Sequence, residues 1–386
     1  MDINEYLSKM EVLQQALISF IDSESEMEEN FQILLQIFED HKIRDDRNEL
    51  KLFFKLITKI SNHFYRPRNF FEKIEKIILL FKKEIIEKFS QTEIFDLFKN
   101  NKRILLFLFN EKIISMNQTI ADIMRSNKYR YANYPQYFAP EIRPFFTEEE
   151  KDPSHRGEKL FEQITKELPN DFDEKRKKGE NDDFVCEMIR KDQIDEFIAF
   201  VNRTNLSLQS VAAKSIYETN SYLNNKVKYV TRYTFHPTLI EYAAFFGSFQ
   251  IFKYLFLNGA KIDRDFFHYA IHGNNPELFD FLEKNDLLRN CYSFTSLLAF
   301  AIKCHHNEMA NYILKKYLIE IPDNQKEYVT IESIKTYNFS FIQNNVMNLN
   351  IFYNLCKYDY AVIVEYLLQN KIDFDINKTL IFNIII

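Results

Sequence analysis

The chain has 386 residues, of which 46% are hydrophobic and 16% aromatic, so it is long enough for two or three domains and can bury a sizeable core. Its formal net charge of −6 provides no basic excess to neutralise a phosphate backbone, which argues against nucleic-acid binding. The N-terminus has no basic segment followed by an apolar one, and apolar runs such as 104–109 fall far short of the ~20 residues of a membrane span. We therefore expect a cytoplasmic or nuclear protein without a membrane span.

Residues 1–127 are predicted to form a helical N-terminal region. Its first helix places apolar residues at helical spacing on one face. These residues are Ile3, Tyr6, Leu7, Met10, Leu13, Leu17, Phe20 and Ile21. Ser23 with Glu26, and Ser90 with Glu93, have the spacing of capping boxes, which mark helix starts. The pattern predicts a run of antiparallel helices, and no fixed repeat period is evident in it.

Residues 128–182 are predicted to be a proline-rich linker, with one helix near 158–168. Five prolines interrupt this stretch, at 135, 140, 144, 153 and 169. The basic run 175–178 is open to two interpretations, a nuclear-localisation signal or a solvated polar linker. Acidic residues flank the run on both sides, which favours the solvated linker.

From residue 183 to 386 the sequence repeats a pair of short helices joined by a turn. The clearest copy is HPTLIEYAAFFGSFQIFKYLFLNGAKID, at 236–263. Residues that tolerate positive φ occupy the turn in five copies, and we therefore predict left-handed turns there. The turn residues are Asp192, Gly247, Asn274, His305 and Asp359. Two longer intervals predict insertions at about 204–235 and 318–347, each a loop or a degenerate unit. The final KTLIFNIII begins a further helix without a partner, so the last repeat is expected to be incomplete.

TLIEYAAFFG resembles the ankyrin signature T-P-L-H-x-A-A-x-x-G. With YAIHGNNPELFDFLEKN and AIKCHHNEMANYI, it resembles the large trichomonad-type family of ankyrin-repeat proteins that carry a domain of unknown function. The resemblance implies an all-α fold, a helical N-terminal region followed by a solenoid of helix pairs, used to bind proteins. It implies no catalytic residue and no cofactor. The T-P dipeptide is replaced by Thr238-Leu239, which puts regular β-hairpin fingers in doubt.

The sequence contains none of the common catalytic signatures. Its five glycines form neither a Walker A loop nor a dinucleotide-binding fingerprint, and G-x-S-x-G and H-E-x-x-H do not occur. We therefore expect no enzymatic activity and no small-molecule substrate. The alternative is a metal-binding or enzymatic module at His268, His272, Cys304, His305 and His306. The resemblance implies structural roles for His268, at the signature histidine, and for His305, at the turn, which leaves too few ligands for a tetrahedral site.

Binding of a partner protein is the favoured function, because such repeats present variable first-helix positions on a concave face. The candidate partner-binding residues are Tyr242, Phe245, Phe246, Tyr269, His272, Phe300, Lys303, Asn354, Lys357 and Tyr358. Tyrosine and phenylalanine with scattered lysine are typical of protein interfaces. The alternative is that the early aromatic rings pack internally, under the inserted loop before His236 or against the N-terminal half.

Overall fold

The computed structural model describes residues 3–23, 27–125, 133–146, 164, 167–224, 226–227, 234–320, 322–342 and 348–370. The fold is all-α, as predicted. In chain order the first helices are α1 (Ile3–Asp22), α2 (Met27–Asp40), α3 (Arg47–His63), α4 (Phe70–Leu80), α5 (Lys82–Lys88), α6 (Gln91–Phe98), α7 (Lys102–Asn110), α8 (Gln118–Arg125), α9 (Tyr134–Tyr137), α10 (Ala139–Ile142) and α11 (Phe172–Lys178).

The helices that follow are α12 (Phe184–Arg190), α13 (Ile194–Thr204), α14 (Ser221–Asn224), α15 (Leu239–Phe245), α16 (Phe249–Leu257), α17 (Phe266–Gly273), α18 (Pro276–Lys284), α19 (Phe294–Lys303), α20 (Asn307–Tyr317), α21 (Asp323–Thr336), α22 (Leu349–Lys357) and α23 (Ala361–Gln369). Short 3₁₀ helices lie at Arg143–Phe145, Leu287–Asn290 and Phe339–Phe341. The described β-structure consists of an antiparallel pair, β1 (Lys226–Val227) with β2 (Thr234–Phe235), and an isolated bridge from Val211 to Thr238.

The chain divides into two compact units, one made of residues 1–74 and 279–386 and the other of residues 75–278. In the first unit the N-terminal helices pack against the C-terminal repeats. The Gln14 amide donates a hydrogen bond to Asn338 Oδ1 at 2.9 Å, and Phe339 N donates to Gln14 Oε1 at 2.7 Å. The boundaries at 127 and 182 remain predictions, but helices α1 to α3 are built into the same unit as the last repeats.

In the second unit, part of the predicted linker is ordered into helix α11. Arg176, in its basic run, is 5% exposed and donates from Nη1 to the Glu141 carboxylate at 2.9 Å and to Tyr137 O at 3.1 Å. The Tyr137 hydroxyl in turn donates to Arg176 O at 2.7 Å. The run is therefore not solvated along its whole length, because one of its cations is needed inside the fold. The helix expected near 158–168 lies almost entirely outside the described residues.

Helix starts follow the local capping chemistry. The capping box of Ser90 with Glu93 is present at α6, and Thr238 with Glu241 forms a second one at α15. Glu26 lies outside the described residues, so the box expected at Ser23 is not described. The segment KTLIFNIII, expected to be the incomplete last repeat, also lies outside the described residues.

The turns between paired helices share one conformation. φ is 48° at Asp192, 67° at Gly247, 46° at Asn274, 58° at His305 and 59° at Asp359. In the repeat of α15, Gly247 N donates to the carbonyl three residues back at 3.1 Å, and Ser248 N donates to the carbonyl five residues back at 2.9 Å. The same pair of bonds occurs at the turns of Asp192, His305 and Asp359. Each turn satisfies carbonyls at the end of its first helix and reverses the chain within a few residues.

A sixth turn of this kind lies inside the predicted insertion 318–347. Tyr337 has φ 58°; its N–H donates to Ile334 O at 3.3 Å and the next N–H donates to Ser333 O at 3.0 Å. Helix α21 precedes it as a first helix, and the 3₁₀ turn Phe339–Phe341 follows where a second helix would be. The described residues of the insertion therefore form a degenerate unit. The tyrosine is held at positive φ by its hydroxyl, which donates to Tyr358 O at 3.0 Å, and by stacking of its ring on Tyr360 at 5.4 Å between centroids.

Candidate partner-binding surface

The ten candidate partner-binding residues lie on or at the ends of the first helices α15, α17, α19 and α22. Six of them are buried: Tyr242, Phe245 and Tyr269 are each 1% exposed, His272 2%, Phe300 6% and Asn354 7%. Phe246, Lys303 and Tyr358 are half-buried, and Lys357 is exposed. In this conformation a partner can contact only the last four directly.

Two of the buried residues pack against each other. The rings of Phe245 and His272 are stacked, with centroids 3.7 Å apart and planes 13° from parallel. His272 Nδ1 lies 3.2 Å from Phe245 O, and because a carbonyl oxygen only accepts, Nδ1 is the donor in that bond. The imidazole thus ties helix α17 to helix α15.

Described residues of the insertion at 204–235 contact first helices of the second unit. Its Tyr222 ring lies edge-on to Tyr269 at 6.3 Å. Ala212 N donates to Pro237 O at 2.8 Å, which ties the start of the insertion to the segment before α15. Farther along, the Thr219 hydroxyl donates to Gly179 O at 2.8 Å. The insertion thus lies against the helices that carry the early aromatic rings, which favours the internal-packing alternative for them.

Tyr242 illustrates how completely these positions are enclosed. Arg190 Nη1 donates to the Tyr242 hydroxyl oxygen at 2.9 Å. Burial raises the pKa of Tyr242 well above its usual value, and the nearby charge of Glu218 adds to the rise. The phenol therefore stays protonated, and the hydrogen bond from Arg190 satisfies its buried oxygen inside the core.

His305, Cys304 and His306 also have structural surroundings. His305 Nε2 donates to Thr336 O at 3.1 Å, and its Nδ1 lies 3.3 Å from the donating amide of Gln14. Burial lowers the pKa of His305 to about 3, so the ring is neutral. Burial likewise raises the pKa of the Cys304 thiol to about 12, and the His306 ring packs 5.4 Å from that of Phe64.

Within the described residues, no three histidine, cysteine, aspartate or glutamate side chains are placed to hold a metal ion. The metal-binding alternative therefore has no support from the structure. The described part of the chain likewise contains no helix that is both long and apolar enough to cross a membrane.

The exposed surface near the end of the repeats is rich in tyrosine and lysine. On α22, Tyr353 is 49% exposed. Lys357 Nζ lies 5.8 Å from the centre of the Tyr353 ring and 5.9 Å from the centre of the Tyr358 ring. On α21, Tyr328 is 44% exposed. These rings are amphipathic and accessible, which is the combination found at protein interfaces.

Sequence reasoning missed Lys335, which stands two residues before the sixth turn just as Lys303 and Lys357 stand before theirs. Tyrosine is not a residue that favours positive φ, so an alignment based on turn chemistry passes over Tyr337. The available signal was spacing, since Tyr337 follows His305 by 32 residues, close to the 31 residues between Asn274 and His305.

The helix pairs α15–α16, α17–α18 and α19–α20, joined by left-handed turns, constitute three successive copies of one unit. Residues 240–325 match the family model described as ankyrin repeats (3 copies). The ankyrin repeats therefore coincide with these three pairs and indicate a protein–protein interaction module. The comparison does not support the narrower resemblance to the trichomonad-type family or its domain of unknown function. The searches of curated proteins and of solved structures found no match to this chain.

Proposed function

We propose that this chain is a non-enzymatic scaffold that binds a partner protein through the concave face of its ankyrin repeats, the side on which the first helices lie. The observation that carries the proposal is the set of three ankyrin repeats at 240–325, a module whose first helices present variable side chains to partners. The exclusion of a metal or catalytic role for the histidine cluster remains part of this proposal, and stoichiometric zinc in the purified protein would contradict it.

The accessible part of this face, among residues 279–370 of the first unit, centres on helix α22. Lys357 is exposed, Tyr358 is half-buried, and the neighbouring Tyr353 ring is accessible on the same helix. Interface energy is concentrated in a few aromatic and long basic side chains, so these residues are the best candidates for anchors. The six buried candidates contribute by holding the first helices in place.

The test uses the full chain as bait, with bound proteins identified and their affinities measured on purified components. We expect Lys357→Ala and Tyr358→Ala each to weaken binding about fivefold, corresponding to about 1 kcal/mol for a moderate anchor. Lys315→Ala, on the second helix α20, is the matched control because its side chain is exposed on the other helix of a repeat in the same unit. A protein that binds no partner saturably, or whose partner is insensitive to both substitutions, would contradict the proposal.

A further inference from the structure

Three successive first helices carry a lysine at the same register position. Lys303, Lys335 and Lys357 each stand two residues before a turn, at His305, Tyr337 and Asp359. The three turns share one hydrogen-bond pattern, so the lysines occupy equivalent places on α19, α21 and α22. Neighbouring packed helices lie about 8–10 Å apart, so the row advances by about that distance per helix.

A second row of lysines approaches the same turns from helix α3. Lys51, Lys55 and Lys59 are spaced four residues apart and therefore lie on one face of the helix. Lys51 Nζ lies 3.1 Å from Asp359 Oδ2, and Lys55 also pairs with that carboxylate. Burial and the charge of His306 are larger causes of the lowered pKa of His305, and the charge of Lys59 adds to them. Lys59 therefore lies within electrostatic range of the turn at His305.

These six residues, Lys51, Lys55, Lys59, Lys303, Lys335 and Lys357, form what we call the lysine surface. Among these lysines, Asp359 pairs with Lys51 and Lys55, and Glu332 pairs with Lys335 at 2.7 Å. Lys357 lies over the tyrosine rings described above. Burial lowers the pKa of Lys55 and of Lys303, so part of each side chain lies away from solvent. Six ammonium groups are thus grouped around three successive turns of a chain whose net charge is −6.

We infer that the lysine surface binds an acidic, extended segment of the partner protein. The inference rests on the proposed function and adds the chemistry of the partner. A segment in the extended polyproline II conformation has three residues per turn and advances about 3.1 Å per residue. Carboxylates at every third position therefore lie on one face, about 9 Å apart, which matches the spacing of successive first helices. The accessible rings of Tyr328 and Tyr353 favour a peptide over a bare polyanion, because they offer contact area to side chains between the acidic residues.

The probe is a fluorescein-labelled twelve-residue peptide with aspartate at every third position and glycine or serine between, together with the same peptide carrying asparagine instead. We expect the full chain to bind the aspartate peptide at least tenfold more tightly in fluorescence anisotropy, with affinity falling as salt is added. The double variant Lys335→Glu with Lys357→Glu should lose at least tenfold in affinity. Because Lys335→Glu would face Glu332, the neutral pair Lys335→Gln with Lys357→Gln is measured in parallel and should lose at least threefold.

Lys315→Glu makes the same charge change on α20, away from the lysine surface, and should leave peptide affinity unchanged. Equal binding of the two peptides, or equal loss in the Lys315→Glu control, would overturn the inference. So would tighter binding of a twelve-nucleotide single-stranded DNA, which would assign the surface to nucleic acid. If the peptide fails while Lys357→Ala still weakens binding of a captured partner, the scaffold function stands and only the acidic character of the partner is refuted.

Discussion

Substitution of Gly273 by alanine tests how closely two successive repeats approach. Gly273 is the last residue of helix α17, where alanine would ordinarily favour the helix by about 1 kcal/mol. A Cβ at this position would lie 2.1 Å from Ala244 O and 2.8 Å from Gly247 N. These two atoms are joined by the hydrogen bond of the preceding turn, at 3.1 Å, so the methyl group would press on backbone that cannot rotate away.

The expected effect is a net loss of about 2–3 kcal/mol. Overpacking costs about 1–3 kcal/mol, with backbone contacts at the upper end, and weakening the turn hydrogen bond adds about 1 kcal/mol. The helix-propensity gain of about 1 kcal/mol offsets part of this cost. The measurement is equilibrium unfolding in urea followed by far-ultraviolet circular dichroism, comparing midpoint and slope for the variant and the original chain.

Gly259→Ala is the matched control. Gly259, unlike Gly273, has positive φ, 88°, and its Cβ would meet no atom within 4 Å, so only the left-handed strain of about 1 kcal/mol applies. Gly273→Ala should therefore be clearly the more damaging of the two. If Gly273→Ala were neutral or stabilising, the close approach of α15 and α17 would be refuted.

Further predictions concern a buried histidine, a stacked ring and a turn. The unfolded chain protonates His305 as pH falls through about 6.5 whereas the folded chain does so only near 3, so its contribution to stability should fall by about 2 kcal/mol between about pH 7 and about pH 5. Because His41 and His236 also have lowered pKa values, urea unfolding should show a loss larger by this amount in the original chain than in His305→Asn; the same pH dependence in both would refute it. Phe245→Ala should cost ~3–5 kcal/mol in urea unfolding by leaving a cavity beside His272, and a cost below ~1 kcal/mol would refute internal packing. Asn274→Val should cost ~1–2 kcal/mol through strain at φ 46°, with Asn274→Gly near neutral, and equal urea midpoints would remove that reasoning.

Local patterns in the sequence were enough to predict the helix pairs and the conformation of five turns. The apolar spacing of α1 follows from the 3.6-residue helical period, and the start of α6 follows from Ser90 and Glu93 alone. Gly247 and Asn274 are residues that tolerate positive φ, which is the conformation they adopt. Such features depend on a few consecutive residues, so the sequence is sufficient to predict them.

Only the tertiary structure decided which first-helix residues are accessible. Tyr222 of the insertion lies edge-on to the buried Tyr269, and Glu218 of the insertion lies within electrostatic range of the buried Tyr242, and no local pattern specifies these contacts. The sixth turn was hidden for a related reason. Tyr337 has a side chain that disfavours positive φ, and it adopts this conformation because Tyr358 and Tyr360, more than twenty residues later in the chain, hold its hydroxyl and its ring. These contacts join residues distant in sequence, so their energies appear only when the helices are packed together.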